Sequence, residues 1–204
     1  MKNTASDQIL SDSDIDQLAK LHMQALPDSV VTWRGATYVR RFYRFVNLSS
    51  DEHLFVLRDD EGRINNVAVI SFSPDNLQRR LLTGTPLLLF AGLRPWHLPL
   101  LAIFKDMIKK DYKLEPGAGL PELIIIFVDN NHQSHGQGKI LLSMCEQALS
   151  AADFKTYRVK TKDDPNNAAI GFYQHTGYEM IGKKEEFGAP FIVFIKNINV
   201  IPQF

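Results

Sequence analysis

The sequence predicts a single α/β domain with a mixed sheet. Apolar runs of strand length alternate with segments in which apolar residues recur at helical spacing, an order typical of this class. The chain has 204 residues, which is close to the size of one domain. It contains no internal repeat, no low-complexity tract and no linker long enough to divide it, so residues 1–204 are predicted to form one domain.

The first third of the chain predicts two helices followed by a β-hairpin. Ser13 and Asp16 form a capping-box pattern at the start of the first helix, which should end before Pro27. The second helix is predicted near residues 35–47, where apolar residues line one face. The hairpin strands are 53–58 and 66–72, joined by a turn at 59–62.

The segment 73–119 separates this part from the rest of the chain. It is irregular at first and becomes helical over residues 100–110. Residues 81–93 carry no charge, but they are fewer than the ~20 residues that a membrane-spanning helix needs. They are therefore predicted to form a buried wall or to line a pocket, without contact to a membrane.

The last part of the chain predicts alternating strands and helices. Residues 123–128 are apolar on both faces, as expected of a central strand that is covered on both sides. A helix with a buried apolar stripe follows the glycine-containing segment 133–139. The remaining predicted elements are a strand at 156–161, a short helix within 166–178 and a strand at 190–195.

Charge balance and cysteine content narrow the class of function. Lys and Arg together number 23, as do Asp and Glu, so no overall basic field would recruit a nucleic acid. The single cysteine, Cys145, excludes an internal disulfide and a metal site built from several cysteines, and no metal is predicted. Cys145 lies on an apolar helical stripe and is expected to be buried. The polar N-terminus lacks the apolar segment of a signal peptide, so a cytoplasmic location is expected.

Residues 133–139 (QSHGQGK) predict an anion-binding loop between the central strand and a helix. A helix N-terminus carries unpaired N–H groups and about half a positive charge, and glycines let a phosphate approach the backbone. A dinucleotide fingerprint would need glycine at 141, where Leu141 stands. A P-loop would need glycine at 133 and a hydroxyl at 140, where Gln133 and Ile140 stand.

Two motifs carry a resemblance to a known family. Gln133, Gly136 and Gly138 form the pattern Q-x-x-G-x-G, and a second motif follows after one predicted strand. The residues of that second motif are Asn166, Ala169, Phe172, Tyr173, Gly177 and Tyr178. In these motifs and their order the sequence resembles the GNAT superfamily of acyl-CoA-dependent N-acetyltransferases. The resemblance covers residues 122–182 and implies the GNAT fold, a mixed, mostly antiparallel twisted sheet with helices on both faces.

The resemblance implies acetyl-CoA as cosubstrate and assigns residues to it. The loop would bind the pyrophosphate of coenzyme A through Gln133, Ser134, His135, Gly136, Gln137, Gly138 and Lys139. Phe127 and Val128 would pair with the pantetheine arm and polarise the thioester, where the central strand splays from its neighbour. Asn166 and Phe172 are the remaining predicted cofactor contacts.

The chemistry of amine acetylation suggests two catalytic residues. An amine that attacks a thioester must be neutral, and the reaction needs a stabilised oxyanion and a proton for the departing thiolate. Tyr173 occupies the position of the proton donor in the family, and a tyrosine pKa of about 10 is close to the value of about 8.5 for a thiol. Glu122 resembles in position the base of histone-acetylating members, and His132 is the alternative base.

The acceptor is predicted only as a small-molecule or peptide amine. The segment 73–119 is longer than a minimal family member needs, and it is expected to contribute to the acceptor site. His22 and Trp33 are further candidates for that pocket, although a core role is preferred for both. The alternatives are a non-catalytic acyl-CoA-binding module on the same fold and a nucleotide-phosphate binder. A homodimer is a further expectation, because dimers are common in the family.

Overall fold

The chain forms an α/β fold around one six-stranded sheet. The computed structural model describes residues 9–84, 115–129, 136–186 and 188–198. The helices are α1 (Asp12–Ala25), α2 (Val30–Trp33), α3 (Ala36–Leu48), α4 (Leu77–Gly84), α5 (Gln137–Ala151) and α6 (Ala168–His175), with a 3₁₀ turn at Pro74–Asn76. The strands are β1 (Glu52–Arg58), β2 (Ile64–Ser71), β3 (Glu122–Val128), β4 (Thr156–Lys162), β5 (Glu179–Glu186) and β6 (Ala189–Asn197).

The sheet is mixed and mostly antiparallel, as predicted. Its strand order is β1-β2-β3-β4-β6-β5, and β3 with β4 is the one parallel pair of neighbours in this described sheet. Hydrophobic cores lie on opposite faces. On one face α1 and α3 pack against the first three strands, and Tyr43 and Phe127 are buried there. On the other face α5 packs against the sheet, and Leu123, Leu141 and Tyr173 are buried. As predicted, β3 is covered on both sides.

The predicted capping box of α1 at Ser13 and Asp16 is wrong, because Ser11 and Asp14 form it. The Ser11 hydroxyl accepts a hydrogen bond from the Asp14 amide at 3.2 Å, and the Asp14 carboxylate accepts one from the Ser11 amide at 3.2 Å. Asp16 instead pairs with Arg40 of α3. Asp14 has no partner on α3, and its carboxylate is the one that reaches back to the cap. Helix α1 begins at Asp12.

The sequence does not predict β5 or α4. Strand β5 reads EMIGKKEE and lies at the edge of the sheet, so it lacks the apolar alternation of a half-buried strand. Helix α4 lies in the part of 73–119 that the sequence predicts to be irregular. The predicted helix at 100–110 and residues 85–93 of the uncharged stretch lie outside the described residues.

Asp75 joins the two described ends of the segment 73–119. One of its carboxylate oxygens accepts a hydrogen bond from the Gly119 amide at 3.1 Å, and the other lies 3.2 Å from Nη2 of Arg158. Arg158 also donates from Nη1 to the Gly117 carbonyl at 3.0 Å. Both ends of the segment therefore meet beside β4.

Candidate functional site

Strands β3 and β4 part from each other shortly after they begin. Their parallel pairing consists of Glu122 with Arg158 and Leu123 with Val159. Strand β3 continues to Val128 in register with β2, so beyond Leu123 its other edge faces no strand in the described part of the chain. The backbone N–H and C=O groups on this edge can form hydrogen bonds with an extended ligand.

A β-bulge lies at the point of divergence. The register between β2 and β3 shifts at Ile124, which has no partner across the ladder. A bulge bends a strand and re-aims the side chains beyond it, and bulges are common next to active sites. Beyond this bulge Phe127 packs in the core under α1 and α3, whereas Val128 faces the start of α5. The predicted pantetheine-binding residues thus lie on the open edge of β3.

Gly136 shapes the start of α5. Its φ is 74°, a left-handed conformation that L side chains rarely adopt, so glycine is needed here. The Gly136 carbonyl accepts hydrogen bonds from the amides of Lys139 at 3.0 Å and Ile140 at 3.2 Å. The amides of Gln137 and Gly138 have no acceptor among the described residues. They lie at the positive end of a helix of 15 residues, so this terminus can bind an anion.

The side chains of the loop differ in exposure. Gln137 is 7% exposed, and its Oε1 atom has no donor within the described ranges. Lys139 is exposed. Gln133, Ser134 and His135, and the alternative base His132, lie outside the described residues, so their roles stay predictions.

Three segments with predicted cofactor contacts meet at Gly138. A Cβ atom on Gly138 would lie 3.1 Å from Cζ of Phe172 on α6 and 4.0 Å from Cγ2 of Val128 at the end of β3. At 3.1 Å the Phe172 ring would have to shift by a few tenths of an ångström to admit a Cβ atom, so glycine at 138 lets this ring lie close to the start of α5. The end of β3, the start of α5 and the body of α6 therefore surround one place beside the parted strands.

Tyr173 follows Phe172 on α6 and is 4% exposed. Its ring packs against Tyr178 with centroids 5.1 Å apart and against Phe194 at 6.0 Å. Burial raises the pKa of the Tyr173 hydroxyl, and the nearby Cys145 thiol raises it further. The hydroxyl is therefore protonated at neutral pH, and it makes no hydrogen bond with another described residue.

Cys145 is completely buried on α5, as predicted. Burial raises the pKa of its thiol, with a further contribution from the charge of Glu146. A thiol that stays protonated and buried is a poor nucleophile. Cys145 thus acts as a small hydrophobic residue behind Tyr173.

Helix α6 is attached to the end of β4 by Asn167, a role that the sequence motifs do not predict. The Asn167 side chain caps α6 by accepting from the Ala169 amide at 3.1 Å. Its Nδ2 donates to Thr161 Oγ1 at 2.7 Å and to the Lys162 carbonyl at 2.8 Å. Asn166, the predicted cofactor contact, is exposed just before this cap. Asn is a preferred residue directly before the first residue of a helix, so the sequence could have identified Asn167 as the cap.

Glu122, the predicted base, is buried between two cations. Its Oε2 atom lies 2.7 Å from Nε of Arg158, and its Oε1 atom lies 3.1 Å from Nζ of Lys160. Lys160 also lies 2.9 Å from Glu186 of β5. Burial alone would lower the pKa of Lys160, but the charges of Glu122 and Glu186 hold that pKa above its usual value. Both oxygens of Glu122 are thus engaged at the base of the opening between β3 and β4.

A partly buried hydrogen-bond chain links α1, α2 and α3. Thr32 Oγ1 donates to the Leu26 carbonyl at 2.8 Å, and Ser29 Oγ donates to Thr32 Oγ1 at 3.0 Å. Because the only hydroxyl proton of Ser29 is used there, His22 Nε2 must donate to Ser29 Oγ at 3.0 Å, and Nδ1 accepts from Tyr43 at 2.8 Å. Burial lowers the pKa of His22 to about 4, so its ring is neutral at pH 7.

The preferred core role is confirmed for His22, which is completely buried. It is wrong for Trp33, which is 57% exposed at the end of α2. Helix α2 has only four residues and buries none of them, so it provides no core position for the indole ring.

Neither a metal cluster nor a membrane span is found in the parts of the chain that the structure describes. No group of three or more His, Cys, Asp or Glu side chains there could hold a metal ion. None of the helices in the same ranges is long and apolar enough to cross a membrane.

Comparison with protein families gives a match to the acetyltransferase (GNAT) family over residues 15–178. No curated protein matches the chain by sequence. Among solved structures, a GNAT-family acetyltransferase from Desulfovibrio desulfuricans has 13% identity and a TM-score of 0.62, covering 94% of this chain and 96% of that one.

Two further solved structures have the same fold. Aminoglycoside 6′-acetyltransferase type Ii has 14% identity and a TM-score of 0.60, with 98% of each chain covered. PaiA N-acetyltransferase from Thermoplasma acidophilum, solved in complex with coenzyme A, has 10% identity and a TM-score of 0.57, with 93% of this chain and 96% of that one covered. The TM-scores of these structures show a shared fold. Their low identities leave the substrate of this chain open.

Proposed function

Since the chain belongs to the acetyltransferase (GNAT) family, we propose that it transfers an acetyl group from acetyl-CoA to a primary amine, directly and within a ternary complex. The observation that carries the proposal is the meeting of Val128, Gly138 and Phe172 beside the parted strands β3 and β4. This arrangement combines an anion-binding helix terminus with an open strand edge. The two parts suit the pyrophosphate and the amide-containing pantetheine arm of coenzyme A.

Each part of the site has one task in this proposal. Acetyl-CoA supplies an activated thioester carbonyl. The amides of Gln137 and Gly138, which have no acceptor among the described residues, bind its pyrophosphate. The backbone of Phe127 and Val128 orients the pantetheine arm and polarises the carbonyl. Tyr173 is the proposed donor of a proton to the sulfur atom as the C–S bond breaks; burial raises the pKa of this hydroxyl further above that of a thiol, which makes it a weaker acid than a free tyrosine.

Glu122 is the proposed general base. Glu122 lies at the base of the opening, where it would accept the proton that the amine nitrogen releases as the new C–N bond forms. Because Arg158 and Lys160 occupy both of its oxygens, an amine must compete with them or reach Glu122 through a water molecule. His132 is the alternative base.

The pairing of both Glu122 oxygens with Arg158 and Lys160 favours a second candidate function, a non-catalytic acyl-CoA-binding module on the same fold. Such a protein would bind the cofactor without transferring the acetyl group. The enzyme is the preferred proposal because Tyr173 occupies the position of the proton donor in the family, and its hydroxyl has no hydrogen-bond partner among the described residues.

Thermal unfolding with acetyl-CoA, CoA, ATP and NAD side by side tests the cofactor. A ligand at about 100 times its dissociation constant adds about 2.7 kcal/mol, which should raise the melting temperature by about 5–10 °C. We expect this shift with acetyl-CoA and CoA alone. A shift with ATP or NAD instead would contradict the proposal and favour a nucleotide binder.

Release of CoA in the presence of primary amines then separates the enzyme from the binding module. We expect thiol release with at least one amine, whereas a binding module would show none. A cytoplasmic location, where acetyl-CoA is available, and a homodimeric state complete the proposal.

A further inference from the structure

Residues 26–29 connect α1 to α2. This connection and the end of α1 lie over the opening between β3 and β4. On the β3 side His22 lies edge-on to Phe127, with ring centroids 5.8 Å apart. On the β4 side Lys162 Nζ donates to the Asp28 carbonyl at 3.2 Å. Phe127 and Lys162 stand four and three residues beyond the last paired residues of their strands, or about 13 Å and 10 Å from the point of divergence. His22 of α1 and Asp28 of the connection thus contact the two strands beyond their last paired residues, on either side of the opening.

This connection holds Trp33 at the edge of the opening. The hydrogen-bond chain from Tyr43 through His22 to Ser29 fixes the start of α2, and Trp33 is the last residue of α2. The indole is 57% exposed, and Lys162 Nζ lies 5.9 Å from its ring centre. An exposed indole can stack on the flat face of a ligand.

Lys162 differs from the neighbouring lysines in its charge environment. It has no carboxylate partner among the described residues, and its ammonium group contacts a backbone carbonyl and the Trp33 ring. The lysines nearby that do pair with carboxylates are Lys160, Lys183 and Lys184. Lys162 thus has a positive charge that no described carboxylate neutralises, next to an exposed aromatic ring and beside the proposed reaction centre.

We propose that Trp33 and Lys162 form the specificity subsite for an acceptor amine that carries an anionic group next to a ring. The ring stacks on Trp33, and a carboxylate or phosphate pairs with Lys162. This inference rests on the proposed function and narrows its acceptor from any primary amine to an anionic, ring-bearing one.

Matched pairs of amines test the subsite by their kcat/KM for CoA release. Tyrosine against tyramine probes a carboxylate, and glucosamine 6-phosphate against glucosamine probes a phosphate. We expect the anionic member of at least one pair to be preferred about tenfold or more, and the responding pair identifies the anion. Lys162→Gln should remove that preference, so that the two members of the responding pair then have similar kcat/KM. Trp33→Leu should raise KM for both members of the responding pair.

Lys155→Gln is the control, because it makes the same change in charge just before β4, at the end opposite to Lys162. It should leave the preference intact. Equal kcat/KM within both pairs, or a preference that survives Lys162→Gln, would overturn the subsite.

A binding measurement keeps the subsite testable if no amine releases CoA, an outcome that would refute the proposed function itself. The anionic amines are then titrated calorimetrically into the CoA complexes of the wild type and of Lys162→Gln. We expect the variant to bind at least one of them about tenfold more weakly. Absence of binding to the wild type, or equal affinity for both proteins, would overturn the inference.

Discussion

Gly138 lies so close to Phe172 that a methyl group added to Gly138 would stand 3.1 Å from Cζ of the Phe172 ring. An alanine would otherwise favour the helix by about 0.5–1 kcal/mol, since glycine is a poor helix former. The close approach of α5 to α6 thus explains why glycine stands at the second position of α5.

We expect Gly138→Ala to weaken the binding of CoA about fivefold. The added methyl group displaces the Phe172 ring and with it the start of α5, where the amides of Gln137 and Gly138 lie. Overpacking of this kind costs about 1–3 kcal/mol, and the better helix propensity of alanine offsets part of that cost. Isothermal calorimetry with CoA measures the effect.

Two further variants control for this effect. A methyl group on Gly171 of α6 would meet only His175 Nδ1, at 4.0 Å, so Gly171→Ala should bind CoA normally. Because a smaller side chain at 172 makes room for the methyl group, Gly138→Ala with Phe172→Leu should bind CoA as well as Phe172→Leu alone. Normal affinity in Gly138→Ala alone would show that the approach of the two helices is unimportant for binding.

We expect Tyr173→Phe to lower kcat at least ~10-fold while acetyl-CoA binds with near-normal affinity. The substitution removes the hydroxyl that burial keeps protonated and leaves the ring in its packing against Tyr178. Steady-state kinetics and calorimetry on the same variant separate the two effects. Tyr178→Phe is the control, since that hydroxyl bonds to Tyr157 and its loss should reduce stability more than kcat. Unchanged turnover in Tyr173→Phe would remove Tyr173 from the mechanism.

The sequence predicts those parts of the site that depend on local backbone requirements. Gly136 and Gly138 could be identified because a left-handed φ and a close approach each demand glycine. The partners of Glu122 could not, because Arg158 lies 36 residues away and the contact depends on the register of β3 with β4. The same holds for His22, whose burial results from packing between α1, α3 and β3.

Glu122→Gln should lower the free energy of unfolding by about 3 kcal/mol. The substitution removes the negative charge that Arg158 and Lys160 share, and the loss of one partner from a buried ion pair typically costs about 3–5 kcal/mol. Chemical denaturation measures this change. If Glu122 is also the base, the acidic limb of the pH profile of kcat/KM disappears in the variant.

Glu186→Gln separates the two roles of Glu122. It removes the other carboxylate beside Lys160, so it disturbs the same ion-pair network from β5 without touching the proposed base. We expect its pH profile to keep the acidic limb. A Glu122→Gln variant with wild-type stability would show that the buried pairs contribute little, and an unchanged pH profile would leave His132 as the candidate base.

The stability of the protein should fall in mild acid because of His22. Burial lowers the pKa of His22 to about 4 in the folded chain, whereas an unfolded histidine has a pKa of about 6.5. The unfolded chain therefore binds more protons between these values. Stability is fully present above pH 6.5 and is lost as the pH falls towards 4. Between pH 7.5 and 5 the free energy of unfolding should decrease by about 2 kcal/mol from this group.

Urea unfolding at both pH values should show that decrease in the wild type and a smaller one in His22→Gln, whose side chain does not titrate. Parallel pH dependences of the two proteins would mean that the pKa of His22 is not lowered in the folded chain.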